Sequence, residues 1–140
     1  MKNTMLEMSR YAALARQAVA EGVVLLKNEA VLPLAPGGRA ALFGYAQFHY
    51  YKSGTGSGGL VNVTHVPNLP EILGGDGGYR LDAEVQARYA AWLADHPYEM
   101  GTGWAQEPWF QPEMPLDEEF VRAAAQRTDT AFIVIGRTAG

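Results

Sequence analysis

The sequence AFIVIGRTAG at Ala131–Gly140 decides the fold class. Five apolar, largely β-branched residues follow the polar run Arg127–Asp129, a pattern typical of a strand buried on both faces of a parallel sheet. The strand leads into Gly136 and Arg137. Because ligands of open α/β sheets bind just beyond the carboxyl ends of the strands, we expect a functional site at this Gly-Arg turn.

A second buried strand and several helices are predicted before this stretch. Ala40–Gly44 is apolar and ends in a glycine, and Val23–Leu26 is a candidate third strand. Helices are predicted from the Thr4/Glu7 capping box to Gly22, over the turn Asn68–Leu73, from Asp82 to His96, and from Asp117 to the closing strand. Gly22 is expected to end the first helix in the left-handed conformation.

The order of these elements predicts an α/β fold, a flavodoxin-like three-layer sandwich built around a parallel sheet. With so few strands visible, we expect the domain to be incomplete because it is truncated. The cut sheet would expose an edge, so a homodimer formed through that edge is a further expectation.

Composition and charge argue against several function classes. The 140 residues are 48% apolar and 19% charged, as in a single globular domain. The net charge of −4 and the scattered basic residues give no electrostatic footprint for nucleic acid. The absence of cysteine, of a long apolar run and of a signal-peptide pattern predicts a cytoplasmic protein without a membrane partner.

A family resemblance enters with the sequence AEGVVLLKNE at Ala20–Glu29. Followed by Leu32–Leu34 and a buried strand, it resembles the opening of the α/β sandwich domain of glycoside hydrolase family 3, which includes the β-glucosidases. The loop KSGTGSGG at Lys52–Gly59 and the closing IVIGRTAG agree with the family in order. The resemblance covers most of the chain and is weakest across Pro97–Pro115.

The resemblance implies a retaining hydrolase of β-glucosides or oligosaccharides in carbohydrate metabolism. Family members pair the sandwich with a (β/α)8 barrel that carries the nucleophilic aspartate, and a glutamate of the sandwich is often the acid/base. Retention needs the two carboxyls roughly 5–5.5 Å apart, so the active site lies between the domains. The resemblance implies no metal and no organic cofactor.

Two departures from the family lead us to expect residues 1–140 to be a partial sandwich domain. The barrel is absent from the sequence. Many members continue the Gly-Arg strand end with a Gly-Glu pair, and by that alignment the acid/base glutamate would follow Gly140. Since neither catalytic carboxylate is then present, the fragment is expected to be inactive.

Several residues are candidates for binding the substrate. Lys52, Ser53 and the backbone of Gly54 would border the sugar site and donate hydrogen bonds to hydroxyls; the alternative is a surface loop without a ligand. Arg137 either pairs with a nearby carboxylate or contacts the substrate. Aromatic residues at His49–Tyr51 are candidates for stacking on a pyranose ring, although packing is the commoner role of such residues.

A second cluster mixes carboxylates with aromatic rings, as a sugar subsite would. Its members are Glu99, Trp104, Glu107, Trp109, Phe110 and Glu113. We favour the alternative that this segment is an ordered insertion that packs its rings at an interface. The three histidines, His49, His65 and His96, lack the spacing of metal ligands and are interpreted as structural.

Two further hypotheses stay open. The first is a stand-alone flavodoxin-like module that binds a nucleotide or a sugar at Gly54–Gly59, where the sequence satisfies G-x-G-x-x-G. No strand directly precedes that motif and no helix follows it, which weakens the nucleotide interpretation. The second is a purely structural partner domain.

Overall fold

The computed structural model describes residues 7–49, 63, 65–75, 78–99, 108 and 110–136. Its elements in chain order are α1 (Met8–Gly22), β1 (Arg39–Phe43), a 3₁₀ turn (Tyr45–Gln47), α2 (Leu69–Gly74), β2 (Arg80–Leu81), α3 (Ala83–Asp95), α4 (Glu118–Arg127) and β3 (Thr130–Ile133). The chain divides into two compact units, Met1–Leu34 and Ala35–Gly140.

The first unit contains helix α1. The helix begins after Glu7, which makes no side-chain capping bond, while Thr4 of the predicted capping box lies outside the described residues. The predicted left-handed stop is wrong: Gly22 is helical and is followed by extended Val23. Val23–Leu26 is not a strand either, because it pairs with no strand in the described part of the chain, and its side chains are exposed.

Among its described residues, the second unit contains a three-stranded parallel sheet in the order β2-β1-β3. Ala40 of β1 is level with Leu81 on one side and with Thr130 on the other. The predicted α/β class with a parallel sheet is therefore confirmed. Strand β2 was missed because two residues are too few to show a period, and Leu81 also fits the apolar face of α3.

Helices cover the sheet on both faces. On one face, α3 and α4 bury a core against β1 that consists of Ala41, Phe43, Val85, Tyr89, Met114 and Ala124. On the other face Leu42 is fully buried, Phe132 meets Tyr79 edge to face, and α2 packs on β2 through Gly74. The result is three layers.

The expectation that the closing strand is buried on both faces is wrong for β3. Its residues alternate between half-buried and exposed, and the Ile133 side chain is 75% exposed. Ile133 is level with Phe43, so it lies on the face that α3 and α4 cover at β1. The helices reach over the central strand and leave this face of the edge strand open.

The predicted starts of the later helices are confirmed. Asp82 accepts a hydrogen bond from Val85 N at 2.9 Å, and Asp117 accepts one from Phe120 N at 2.7 Å. These bonds satisfy amide groups that have no partner inside the helix. Asn68 caps α2 in the same way.

Candidate functional site

The four predicted substrate-binding residues, Lys52, Ser53, Gly54 and Arg137, lie outside the described residues, so their roles stay predictions. The residues described at the carboxyl ends of the strands are Gly44–His49 after β1 and Val134–Gly136 after β3. Their geometry determines how the two segments leave the sheet.

Gly44 joins the carboxyl ends of the two strands. It adopts a φ of 103°, and a Cβ atom placed on it would lie 2.0 Å from the carbonyl oxygen of Val134. One residue earlier, Val134 N donates to Phe43 O at 2.8 Å. A residue type with a Cβ atom cannot accommodate both this dihedral angle and this close approach, so glycine is required at this position.

Two side chains accept hydrogen bonds from the backbone amides that directly follow β1. Gly44 N donates to the Tyr89 hydroxyl at 2.6 Å, and Tyr45 N donates to both carboxylate oxygens of Glu113 at 3.1 and 2.9 Å. Burial raises the pKa of Tyr89, and the charge of Glu113 adds to this, against the opposing effect of the Gly44 bond. The phenol therefore stays protonated at neutral pH.

The Gln47 side chain completes the sheet where β2 ends. The ladder of β2 on β1 finishes with the bond from Asp82 N to Ala40 O at 2.9 Å. The next carbonyl on that side, Leu42 O, accepts from Gln47 Nε2 at 3.1 Å, and the same nitrogen donates to Gly44 O at 3.0 Å. A fully buried side chain thus replaces a missing strand residue. Gln47 is the last residue of the 3₁₀ turn Tyr45–Gln47, which follows β1 directly after Gly44.

Three aromatic rings gather beyond this turn. The ring centroids of Tyr45 and His49 are 5.6 Å apart, those of His49 and Tyr98 4.5 Å, and those of Tyr45 and Tyr98 5.9 Å. The interplanar angles are 16–18°. Burial lowers the pKa of His49. The sequence signalled aromatic residues here but not their contact, because Tyr98 is distant in the chain.

The carboxylate and aromatic cluster is only partly described. Trp104, Glu107 and Trp109 lie outside the described residues. Glu113 accepts hydrogen bonds from one backbone amide, that of Tyr45, and Phe110 is exposed. This arrangement favours the packing interpretation for Glu113.

Asp82 and Arg127 hold the frame together near the start of β1. Arg127 Nε and Nη2 donate to the two oxygens of Asp82 at 2.7 and 3.0 Å, which ties the beginning of α3 to the end of α4. These bonds hold the pKa of the almost fully buried Asp82 carboxyl below its usual range, against the effect of burial.

Within the described ranges of the chain, no group of three His, Cys, Asp or Glu side chains is placed to hold a metal ion. Nor do those ranges contain a helix that is long and apolar enough to cross a membrane. His65 pairs with Glu71 at 2.8 Å, and His96 stacks on Trp92.

The fold and the site define a class: a parallel α/β domain whose strands β1 and β3 meet at their carboxyl ends. No family model matches the chain. It is, however, 47% identical over 135 residues, 96% of its length, to a β-glucosidase of Ruminococcus albus. It is 38% identical over 136 residues to β-glucosidase A of Butyrivibrio fibrisolvens.

Solved structures agree with these relatives. A β-glucosidase from Paenibacillus barengoltzii matches 96% of the chain with a TM-score of 0.83 and 44% identity. β-Glucosidase 3B from Thermotoga neapolitana, in complex with glucose, matches 96% of the chain with a TM-score of 0.79 and 32% identity.

The chain spans 14% and 15% of the length of the two curated relatives, and 14% and 19% of the two solved chains. The resemblance to the β-glucosidases of glycoside hydrolase family 3 is confirmed, and the chain aligns with one short part of these longer proteins.

Proposed function

We propose that this chain forms part of the sugar site of a retaining β-glucosidase-like hydrolase that acts on β-glucosides in carbohydrate metabolism. The observation that carries the proposal is the 47% identity to the Ruminococcus albus β-glucosidase over 96% of the chain. A stand-alone binding module is not favoured, because the proteins that match nearly the whole of this sequence are β-glucosidases.

In the proposed mechanism the catalytic carboxylates come from outside residues 1–140. A glutamate that follows Gly140 protonates the leaving oxygen, and an aspartate on a (β/α)8 barrel attacks the anomeric carbon. Lys52, Ser53 and Gly54 donate hydrogen bonds to sugar hydroxyls. The contact between Gly44 and Val134 supports this arrangement, since it fixes the ends of the strands that precede the glycine loop and Arg137.

A chimeric enzyme tests the proposal. The aligned segment of the Ruminococcus albus β-glucosidase is replaced by this chain, and hydrolysis of p-nitrophenyl β-glucoside is measured. We expect an active chimera, whereas the chain alone is inactive. A chimera that folds but lacks activity would contradict the proposal.

Variants of the chimera test the substrate-binding residues. Lys52→Ala and Arg137→Ala are expected to lower kcat/KM by about tenfold or more, as expected for lost charge-assisted hydrogen bonds. Lys27→Ala is the matched control, because Lys27 is exposed and paired with Glu29. Unchanged kinetics in both site variants would favour the structural partner domain instead.

We further propose the barrel as the partner of the α/β domain and the cytoplasm as its location, the latter from the cysteine-free composition. The alternative partner is a second copy of this chain, in a homodimer formed through the β3 edge. The exposure of Ile133 supports this alternative. Sedimentation of the chain alone distinguishes a monomer from a dimer.

A further inference from the structure

We propose that His49 is a sugar-contacting residue of the site, in which its imidazole, laid across Tyr45 and Tyr98, receives a pyranose ring of the β-glucoside. This inference rests on the proposed function and deepens it. It assigns to the sugar a described residue that follows the carboxyl end of β1, in addition to the glycine-loop residues.

The ring geometry leaves one face of His49 uncovered by the two tyrosines. All three ring planes are within 18° of parallel, and the three centroid distances, 4.5, 5.6 and 5.9 Å, form a compact triangle. If the imidazole lay between the tyrosines, their centroids would be much further apart than 5.9 Å. Both tyrosines therefore lie on the same side of the imidazole, and His49 is exposed while Tyr45 is only 3% exposed.

One short segment holds in place the two tyrosine residues that lie under the imidazole. Glu113 accepts the amide of Tyr45 with both carboxylate oxygens. Two residues earlier, Gln111 accepts from Glu99 N at 3.2 Å and donates to Glu99 O at 2.9 Å, which fixes the backbone beside Tyr98. Because side chains clamp both tyrosine segments, the surface on which His49 rests is preorganised and loses little freedom on binding.

The chemistry of this surface fits a β-glucoside. The substituents of β-D-glucopyranose are equatorial, so each ring face presents axial C–H groups that pack on an aromatic ring, and hydroxyls project at the rim. A neutral imidazole offers one N–H donor and one nitrogen acceptor to such hydroxyls. The lowered pKa of His49 keeps it in that neutral form at pH 7. Its position just beyond β1 is where ligands of parallel sheets bind.

The test is a titration of the whole 140-residue chain, ¹³C/¹⁵N-labelled at histidine, with methyl β-D-glucopyranoside. NMR should show saturable shifts of the His49 imidazole signals with a millimolar Kd, the range expected for a ligand of this size. His65, which is paired with Glu71, and His96 serve as internal references that should not shift. Absence of saturation at His49, or equal shifts at His65, would overturn the inference.

Variants separate the contact from folding. Tyr98→Leu removes one of the two rings under the imidazole and should weaken sugar binding at least severalfold, whereas Tyr11→Leu, on exposed α1, should not. In the chimeric enzyme, His49→Ala should raise KM more than it lowers kcat, and His65→Ala should change neither.

The two proposals fail separately. If the chimera is active but the His49 signals do not shift with sugar, this inference is overturned and the proposed function stands. If the chimera is inactive but His49 binds sugar saturably, the proposed function is contradicted and this inference stands.

Discussion

Strands β1 and β3 are neighbours in one sheet, yet they differ in what covers them. β1 is buried from Ala40 to Phe43. Helices α3 and α4 cover one face of the sheet at β1, and Tyr79, Phe132 and helix α2 lie on the opposite face of the sheet. In β3, Ala131 and Ile133 are exposed on the face that the helices cover at β1. The two strands are nonetheless joined at their carboxyl ends through Gly44 and Val134.

This difference separates two roles of an apolar strand. Burial of β1 stabilises the fold of the second unit, since removal of apolar surface from water is the main favourable contribution to folding. The apolar residues of β3 contribute less to that stability and leave a surface for another body to cover. Four tests address this division and the contacts that hold β1, and the largest effect expected in each decreases in the order given.

The largest effect is expected where the two strands meet. Gly44→Ala places a methyl group against Val134 O and forces alanine into a φ of 103°. Strain and overpacking together should lower the free energy of unfolding by about 4 kcal/mol, measured by urea denaturation. Gly37→Ala is the control: its φ is 80° but nothing lies within 4 Å of the added atom, so about 1–2 kcal/mol is expected. Equal effects would mean that the strand ends are not in contact.

The next pair compares the strands directly. Leu42 is 0% exposed, and Leu42→Ala should destabilise the chain by about 3 kcal/mol through lost burial and a cavity. Ile133→Ala should cost less than about 0.5 kcal/mol, since its side chain is already 75% exposed. If both variants lost the same stability, something would cover β3 in the chain alone, and a dimer would be the first explanation to examine.

The third test addresses the ion pair that joins the helices over β1. Asp82→Ala removes the α3 cap and the buried carboxylate that pairs with Arg127, and should cost about 2 kcal/mol at pH 7. The folded-state pKa of Asp82 is lowered, so its contribution is fully present above the unfolded pKa of about 3.9 and is lost as pH falls through the folded value. The difference between variant and wild type should therefore shrink in acid. Asp117→Ala, at an exposed cap paired with Arg88, should have a smaller effect.

The smallest effect concerns a single hydrogen bond. Tyr89→Phe keeps the buried ring but removes the oxygen that accepts from Gly44 N. We expect a loss of about 1 kcal/mol, the usual net contribution of such a bond. Tyr11→Phe, on exposed α1, should leave the unfolding midpoint unchanged. An unchanged midpoint for Tyr89→Phe would indicate that the bond does not hold the turn.

Local signals predicted what short-range physics determines. The caps at Asp82 and Asp117 follow from the hydrogen-bonding needs of helix starts, and the apolar run near Ala40 follows from the burial of β1. The predictions failed where the outcome depended on distant residues. The two-residue β2 exists because β1 supplies its ladder, and Gln47 replaces a strand because β2 ends early.

The sequence by itself determined the α/β class, the starts of the later helices and the resemblance to β-glucosidases, because residue spacing and motifs encode them locally. Tertiary structure alone decided that β1 is central and β3 is an edge. It also decided that Gly44 must be glycine, that Glu113 serves a backbone amide, and that His49 rests on two tyrosines. Each of these depends on a contact between residues far apart in the chain, and no local pattern records such a contact.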